Sequence, residues 1–254
     1  MPSPHKLAFD PVRRRLFVAN GRDGVVEVFG SDLSHVATIP VGAKPDTGAL
    51  DPVARLFYVS SRAGGADATT SRISAISLDT LRVVRSFDVP ATTLKGLVLD
   101  RAGQRLFVSM RDRNAIGVIE LAGGQVSVWT SKDLNRNVPL VLDATSGRLF
   151  VGSREPGRLV VLDARDGRQI QTLPATETAD SMSWDADRRL LLVSGDTGVS
   201  RYRVAPDGTA TWLGTDGALV GKTSLYVPAL RRFYLLRPRK GAVDAALQVY
   251  AVGL

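Results

Sequence analysis

The chain has 254 residues, of which 44% are hydrophobic and 23% charged, as in an ordinary globular protein. It has no cysteine, which excludes disulfides, thiolate nucleophiles and thiolate metal ligands. It also has no run of 18 apolar residues, and its N-terminus lacks a basic segment followed by an apolar one, so we expect neither a transmembrane helix nor a signal peptide in this chain. The net charge of +8 is compatible with an anionic partner, or with solubility alone.

One block recurs along the chain: a short apolar strand ending in Asp, a turn, and a second apolar strand. The first copy ends its first strand at Asp10, and the later copies follow at spacings of 41, 49, 43, 42 and 42 residues. Their equivalent anchor positions are Asp51, Asp100, Asp143, Asp185 and Val227. Seven residues after each anchor the second strand has its central large apolar residue: Phe17, Tyr58, Phe107, Phe150, Leu192 and Tyr234. Repeats of this period predict a repeat architecture.

Each unit continues with two further strands, joined by turns such as Arg165-Asp166-Gly167. Four short strands per 42 residues predict an all-β fold, a β-propeller of six units with four-stranded antiparallel blades. The units run over about 4–44, 45–93, 94–137, 138–178, 179–220 and 221–254, in a single monomeric domain. The sixth unit offers three strands, which predicts an unpaired outer edge near Leu247 to Val252. The anchor carboxylates are expected to accept backbone hydrogen bonds in their turns.

The second strands resemble the YVTN-type β-propeller repeat family, in Phe17-Val18-Ala19-Asn20, Tyr58-Val59-Ser60-Ser61 and Phe107-Val108-Ser109-Met110. The stretch from Pro4-His5 to Ile39-Pro40-Val41-Gly42 is similar to a whole repeat of that family. Members are commonly seven-bladed and often exported. The resemblance therefore implies an extracytoplasmic protein, periplasmic or secreted. It also implies that the chain is either complete with six blades or a seven-bladed propeller lacking its first blade.

Polar residues recur five positions before the anchors, where the innermost strand of each blade begins. In a propeller these positions circle one mouth of the central channel. Five of the six are polar or ionisable: His5, Asp46, Lys95, Asp180 and Lys222, with Val138 as the sixth. One interpretation is a site for a small molecule or a protein partner. The other is a set of salt bridges between neighbouring blades, Asp46 with Lys95 and Asp180 with Lys222.

Arginines recur in or beside the first hairpin turn of every unit, at the opposite mouth. They are Arg14, Arg55, Arg105, Arg148, Arg189 and Arg231. A ring of guanidinium groups would suit phosphate or carboxylate groups. The alternative is that each arginine caps its own hairpin by binding the turn Asp.

No catalytic constellation is evident, since the chain has two histidines and no His-x-x-x-His or Gly-x-Ser-x-Gly pattern. We expect no catalytic residue, no metal and no cofactor, and a propeller that binds a ligand or a partner. One alternative is a metal-dependent, lactonase-like hydrolase using Asp46, Asp180 and His5. The other is binding of an anion or a nucleic acid by the arginines, with affinity that falls steeply with salt.

Overall fold

The computed structural model describes residues 4–62, 69–239, 241 and 243–252, which are arranged in two compact units, residues 1–129 and 130–254. The described residues contain 23 β-strands and two single-turn 3-10 helices, Arg111–Arg113 and Pro228–Leu230. None of the described helices is long and apolar enough to cross a membrane. The predicted all-β fold is confirmed.

The first unit consists of three four-stranded antiparallel sheets, each with its strands in chain order. The first blade contains β1 (Pro4–Asp10), β2 (Arg15–Asn20), β3 (Val25–Phe29) and β4 (His35–Pro40). The second contains β5 (Gly48–Asp51), β6 (Leu56–Ser61), β7 (Ser71–Ser77) and β8 (Val83–Val89). The third contains β9 (Leu94–Asp100), β10 (Arg105–Met110), β11 (Ala115–Glu120) and β12 (Val126–Thr130), whose last residue, Thr130, opens the second unit.

The second unit consists of two four-stranded sheets and one three-stranded sheet among the described residues. The fourth blade contains β13 (Leu140–Asp143), β14 (Arg148–Arg154), β15 (Gly157–Asp163) and β16 (Gln169–Pro174). The fifth contains β17 (Ser181–Asp185), β18 (Leu190–Gly195), β19 (Gly198–Val204) and β20 (Ala210–Asp216). The sixth contains β21 (Thr223–Val227), β22 (Arg232–Arg237) and β23 (Ala246–Ala251), so the predicted three-stranded last blade is confirmed.

The core lies between neighbouring blades of each unit, where apolar residues of the second and third strands pack together. Phe17 packs with Phe57 of the next blade, their ring centroids 5.9 Å apart, and Phe150 packs with Trp184 at 6.0 Å. In the second to fifth blades the second strand is buried on both faces after its first residue, and this is the reason for continuous apolar runs where a half-exposed strand would alternate. Five of the six central residues of the second strands are buried; Tyr234 of the last blade is partly exposed.

The first hairpin of every blade repeats one backbone conformation. Four residues after each anchor the chain adopts a positive φ between 50° and 65°, at Arg14, Arg55, Gln104, Gly147, Arg189 and Arg231. The left-handed conformation suits glycine, and other residues adopt it at a cost of about 1 kcal/mol. Four of the six recurring arginines therefore occupy the strained turn position itself.

Candidate functional site

The residues predicted at the start of the innermost strands do meet within the first unit. The Asp46 carboxylate lies between two basic side chains from neighbouring blades: it forms an ion pair with Lys95, and its Oδ1 is 3.5 Å from Nδ1 of His5. The three side chains are partly exposed. The predicted salt bridge between Asp46 and Lys95 is confirmed, and it forms one wall of an open cavity.

Local backbone irregularities present these side chains to the cavity. The register of β1 against β2 shifts between Pro4 and Lys6, so His5 lies at a bulge, and a similar shift occurs opposite Lys95. A bulge re-aims a side chain that would otherwise follow the regular alternation of the strand. The His5 ring lies against the backbone of Gly21, where any added Cβ would collide with it.

The cavity beside Asp46 has a volume of about 470 Å³ and an open mouth. We call it the basic pocket; its lining consists of His5, Gly21, Arg22, Lys44, Asp46, Arg62 and Lys95. Sequence reasoning missed four of these residues. Arg62 carried a weak signal, because a basic residue also follows the second strand at Arg111. Lys44 carried none, since it lies in a loop outside the repeated block.

The corresponding residues of the second unit have other partners than expected. Asp180 Oδ1 lies 3.6 Å from Nη2 of Arg154, and the Lys222 ammonium lies 3.2 Å from Asp196. The predicted bridge between Asp180 and Lys222 is therefore wrong. The reason is that Arg154 and Asp196 extend from the ends of the adjacent second strands and reach these side chains first.

The anchor carboxylates perform the structural role expected of them. Backbone amides two or three residues onward donate to all five at 2.9–3.2 Å, and all five are buried. The Arg55 guanidinium holds the pKa of Asp10 below its usual range. Burial alone would raise the pKa of Asp143, but hydrogen bonds from Ser146 and Arg189 outweigh burial and lower it.

Four of the six recurring arginines are bound to carboxylates, in a pattern that differs from the expected hairpin cap; within the described residues Arg14 and Arg231 form no ion pair. Arg105 does bind Asp100 of its own hairpin at 3.0 Å. Arg55 instead reaches the preceding blade and binds both oxygens of Asp10, at 2.6 and 2.8 Å. Arg189 binds Asp143 of the preceding blade at 2.8 Å in the same way, and Arg148 lies 3.3 Å from Asp163. An anion at these guanidinium groups stays a prediction, and it would compete with these carboxylates.

A metal centre would need at least three suitable ligands in one place. No group of three or more His, Asp or Glu side chains of the described residues could hold an ion. His5 and Asp46 are neighbours, but Lys95 already occupies the Asp46 carboxylate. The lining of the basic pocket thus consists mainly of hydrogen-bond donors from basic side chains, with one carboxylate.

Comparison with known proteins shows the fold and leaves the activity open. No family model matches the chain. The uncharacterized protein YncE of Salmonella typhimurium is 23% identical over 194 residues, which are 75% of this chain and 54% of that protein. The chain thus spans about half the length of the curated relatives it matches. Membership of the YVTN-type family stays a prediction.

Two solved structures resemble the whole described fold. The Cps50 (Swd1) β-propeller domain of Myceliophteria thermophila aligns with a TM-score of 0.76 over 100% of this chain and 88% of that one, at 12% identity. The periplasmic gluconolactonase PpgL of Pseudomonas aeruginosa aligns with a TM-score of 0.73 over 98% of this chain and 86% of that one, at 19% identity. At such identities the likeness shows the β-propeller fold alone.

Proposed function

We propose that this protein is a non-catalytic β-propeller that binds a ligand in the basic pocket. One observation supports this above all: a cavity of about 470 Å³ lies where the sequence predicts a ligand site, and it is lined by polar side chains from neighbouring blades. Pockets for small molecules have volumes of about 300–1,000 Å³. The propeller acts as a rigid support that holds loops of different blades together.

The proposal also covers the oligomeric state, the family and the cellular compartment of the protein. We propose a monomeric, single-domain protein of the YVTN type, in an extracytoplasmic compartment. The periplasmic location named for the Pseudomonas gluconolactonase supports the compartment.

A ligand screen tests the binding function. The folded protein is exposed to a panel of neutral, cationic and anionic metabolites, and its melting temperature is measured. At least one charge class should raise the melting temperature in a saturable way. The Asp46→Ala variant should change the affinity for that ligand at least about threefold, because it removes a charged group from the lining.

Asp88→Ala is the matched control. Asp88 also pairs with a basic residue of its own unit, Arg72 at 2.9 Å, and lies outside the basic pocket. It should leave the affinity unchanged. Binding that both variants alter equally, or a panel without any stabilising compound, would contradict a ligand site here.

A lactonase-like hydrolase is the second candidate, favoured by the fold shared with the Pseudomonas gluconolactonase. Turnover on a panel of lactones and esters, abolished by a chelator and by Asp46→Ala, would establish it in place of the binding function.

A further inference from the structure

The basic pocket has a strong excess of positive charge. Arg22, Lys44, Arg62 and Lys95 are cationic at neutral pH, and Asp46 is the one carboxylate of the lining. The lining thus holds four permanent cations and one carboxylate. Like charges held together repel one another, and a bound anion relieves that repulsion.

The single carboxylate is already engaged, and two of the other cations, Lys44 and Arg62, lack a carboxylate partner among the described residues. Asp46 binds Lys95 and lies beside His5. Lys44 and Arg62 form no ion pair with a carboxylate in the described part of the chain. Four of the six recurring hairpin arginines do: Arg55, Arg105, Arg148 and Arg189. The basic pocket therefore differs from these four hairpin arginines, whose charges are paired with carboxylates of the fold.

The loop that presents Lys44 is held in place before any ligand arrives. Four hydrogen bonds connect residues 43–47 to the end of β6. Arg62 N donates to Ala43 O at 2.7 Å, Ser60 N to Thr47 O at 2.9 Å, Asp46 N to Ser60 O at 3.2 Å, and Thr47 N to Ser60 Oγ at 3.2 Å. Lys44 itself has a φ of 46°. A backbone held in this sparsely populated region needs support from its surroundings, and such residues cluster at functional sites.

We propose that the basic pocket binds a small molecule carrying at least two negative charges, as phosphate or carboxylate groups. Arg22 and Arg62 would supply planar, multiple donors, and Lys44 and Lys95 would act as point charges. The cavity volume fits a metabolite, and a neutral or cationic compound would gain nothing from the charges of Lys44 and Arg62. This inference rests on the binding function proposed above and gives its ligand class.

The test measures the binding of inorganic phosphate and of citrate by titration, followed by NMR, at low and at physiological salt. Wild-type protein should bind both probes saturably, with affinity falling as salt rises. The double variant Lys44→Gln/Arg62→Gln should lose at least about tenfold in affinity, because it removes two charge-assisted contacts.

The double variant Arg82→Gln/Arg113→Gln is the matched control. It also lowers the net charge by two within the first unit, at exposed arginines that line no part of the basic pocket. Its affinity for both probes should stay within about twofold of wild type, because screening weakens distant charges. An equal loss in both double variants would mean that only the overall charge matters, and the proposal would fall.

The Asp46→Asn variant should change the affinity in opposite directions for anionic and for cationic ligands. Removing the carboxylate frees the charge of Lys95, so binding of citrate should tighten by about threefold or more. Weaker binding of citrate in this variant would overturn the proposal.

Titration with a single-stranded oligonucleotide tests whether the ligand is a small anion or a nucleic acid. The oligonucleotide should bind no more tightly than citrate, and equally to both double variants. Tight binding lost only in Lys44→Gln/Arg62→Gln, with a salt slope of several released ions, would instead make the pocket a nucleic-acid contact and overturn the small-molecule assignment.

The same measurements distinguish the two proposals. A neutral compound that saturates the pocket while phosphate and citrate do not bind would leave the binding function standing and reject the anionic ligand. If no compound of any charge class binds, both proposals fail.

Discussion

Removing the Arg55 side chain should destabilise the protein far more than removing Arg13, although both arginines contact Asp79. Arg55 binds the fully buried Asp10 through two hydrogen bonds and also contacts Asp79 at 3.0 Å. Without Arg55, the Asp10 carboxylate keeps a backbone hydrogen bond from Val12 at 3.1 Å but loses the cation that compensates its buried charge.

The magnitude follows from the burial of this pair. Breaking a buried ion pair by removing one partner costs about 3–5 kcal/mol. Arg55 is 21% exposed, so water can reach the vacated space, and we expect about 2–3 kcal/mol for Arg55→Ala. Arg13 contacts the same Asp79 at 3.3 Å, but both groups are well exposed, so Arg13→Ala should cost at most about 0.5 kcal/mol.

Calorimetry and urea unfolding measure the difference. A loss of about 2 kcal/mol lowers the melting temperature of a protein of this size by roughly 4–8 °C. Adding Asp10→Asn to Arg55→Ala should restore part of the loss, because a neutral amide needs no compensating charge. If Arg55→Ala and Arg13→Ala differ by less than about 0.5 kcal/mol, the burial argument is refuted.

The pH dependence of the stability gives an independent test of the Arg55–Asp10 ion pair. Arg55 lowers the pKa of Asp10 in the folded protein below its unfolded value of about 3.9. The pair therefore stabilises the protein above that pH and loses its contribution as the pH falls through the lower, folded value. The stability difference between wild type and Arg55→Ala should shrink between about pH 5 and the acid limit of folding.

Three further outcomes are expected. Arg14→Gly should raise the free energy of unfolding by up to about 1 kcal/mol, because glycine adopts the φ of 52° without strain. Urea unfolding measures this change, and a lower free energy of unfolding in the variant would contradict the turn assignment. Lys44→Gly should likewise leave the melting temperature unchanged or higher while weakening phosphate binding; a parallel fall of both would mean that the lysine is structural. Amides of β23 should exchange faster than those of β19, since β23 pairs with one described neighbour and β19 with two, and equal protection measured by hydrogen exchange would contradict this.

The repeat was visible in the sequence because it depends on local chemistry. An anchor Asp accepts the amides of its own turn, as Asp51 does from Val53 and Ala54, and strand 2 of each blade is apolar on both faces. These requirements recur at nearly constant spacing, so the strand count, the turn positions and the three-stranded last blade could all be predicted. Whether the parent propeller has a seventh blade, and which compartment holds the protein, could not be predicted from these residues, because neither property depends on a local sequence pattern.

The site was predictable in part. The sequence alone determined that His5, Asp46 and Lys95 occupy equivalent positions in successive units, and the structure brings these three together, whereas the equivalent Asp180 and Lys222 take other partners. Only the tertiary structure decided that Lys44 and Arg62 join them, and that Arg55 binds Asp10 of the preceding blade. Those contacts connect residues 45 positions apart or lie in loops outside the repeat. They depend on how far each blade is offset against its neighbour, and side-chain packing between the blades sets that offset.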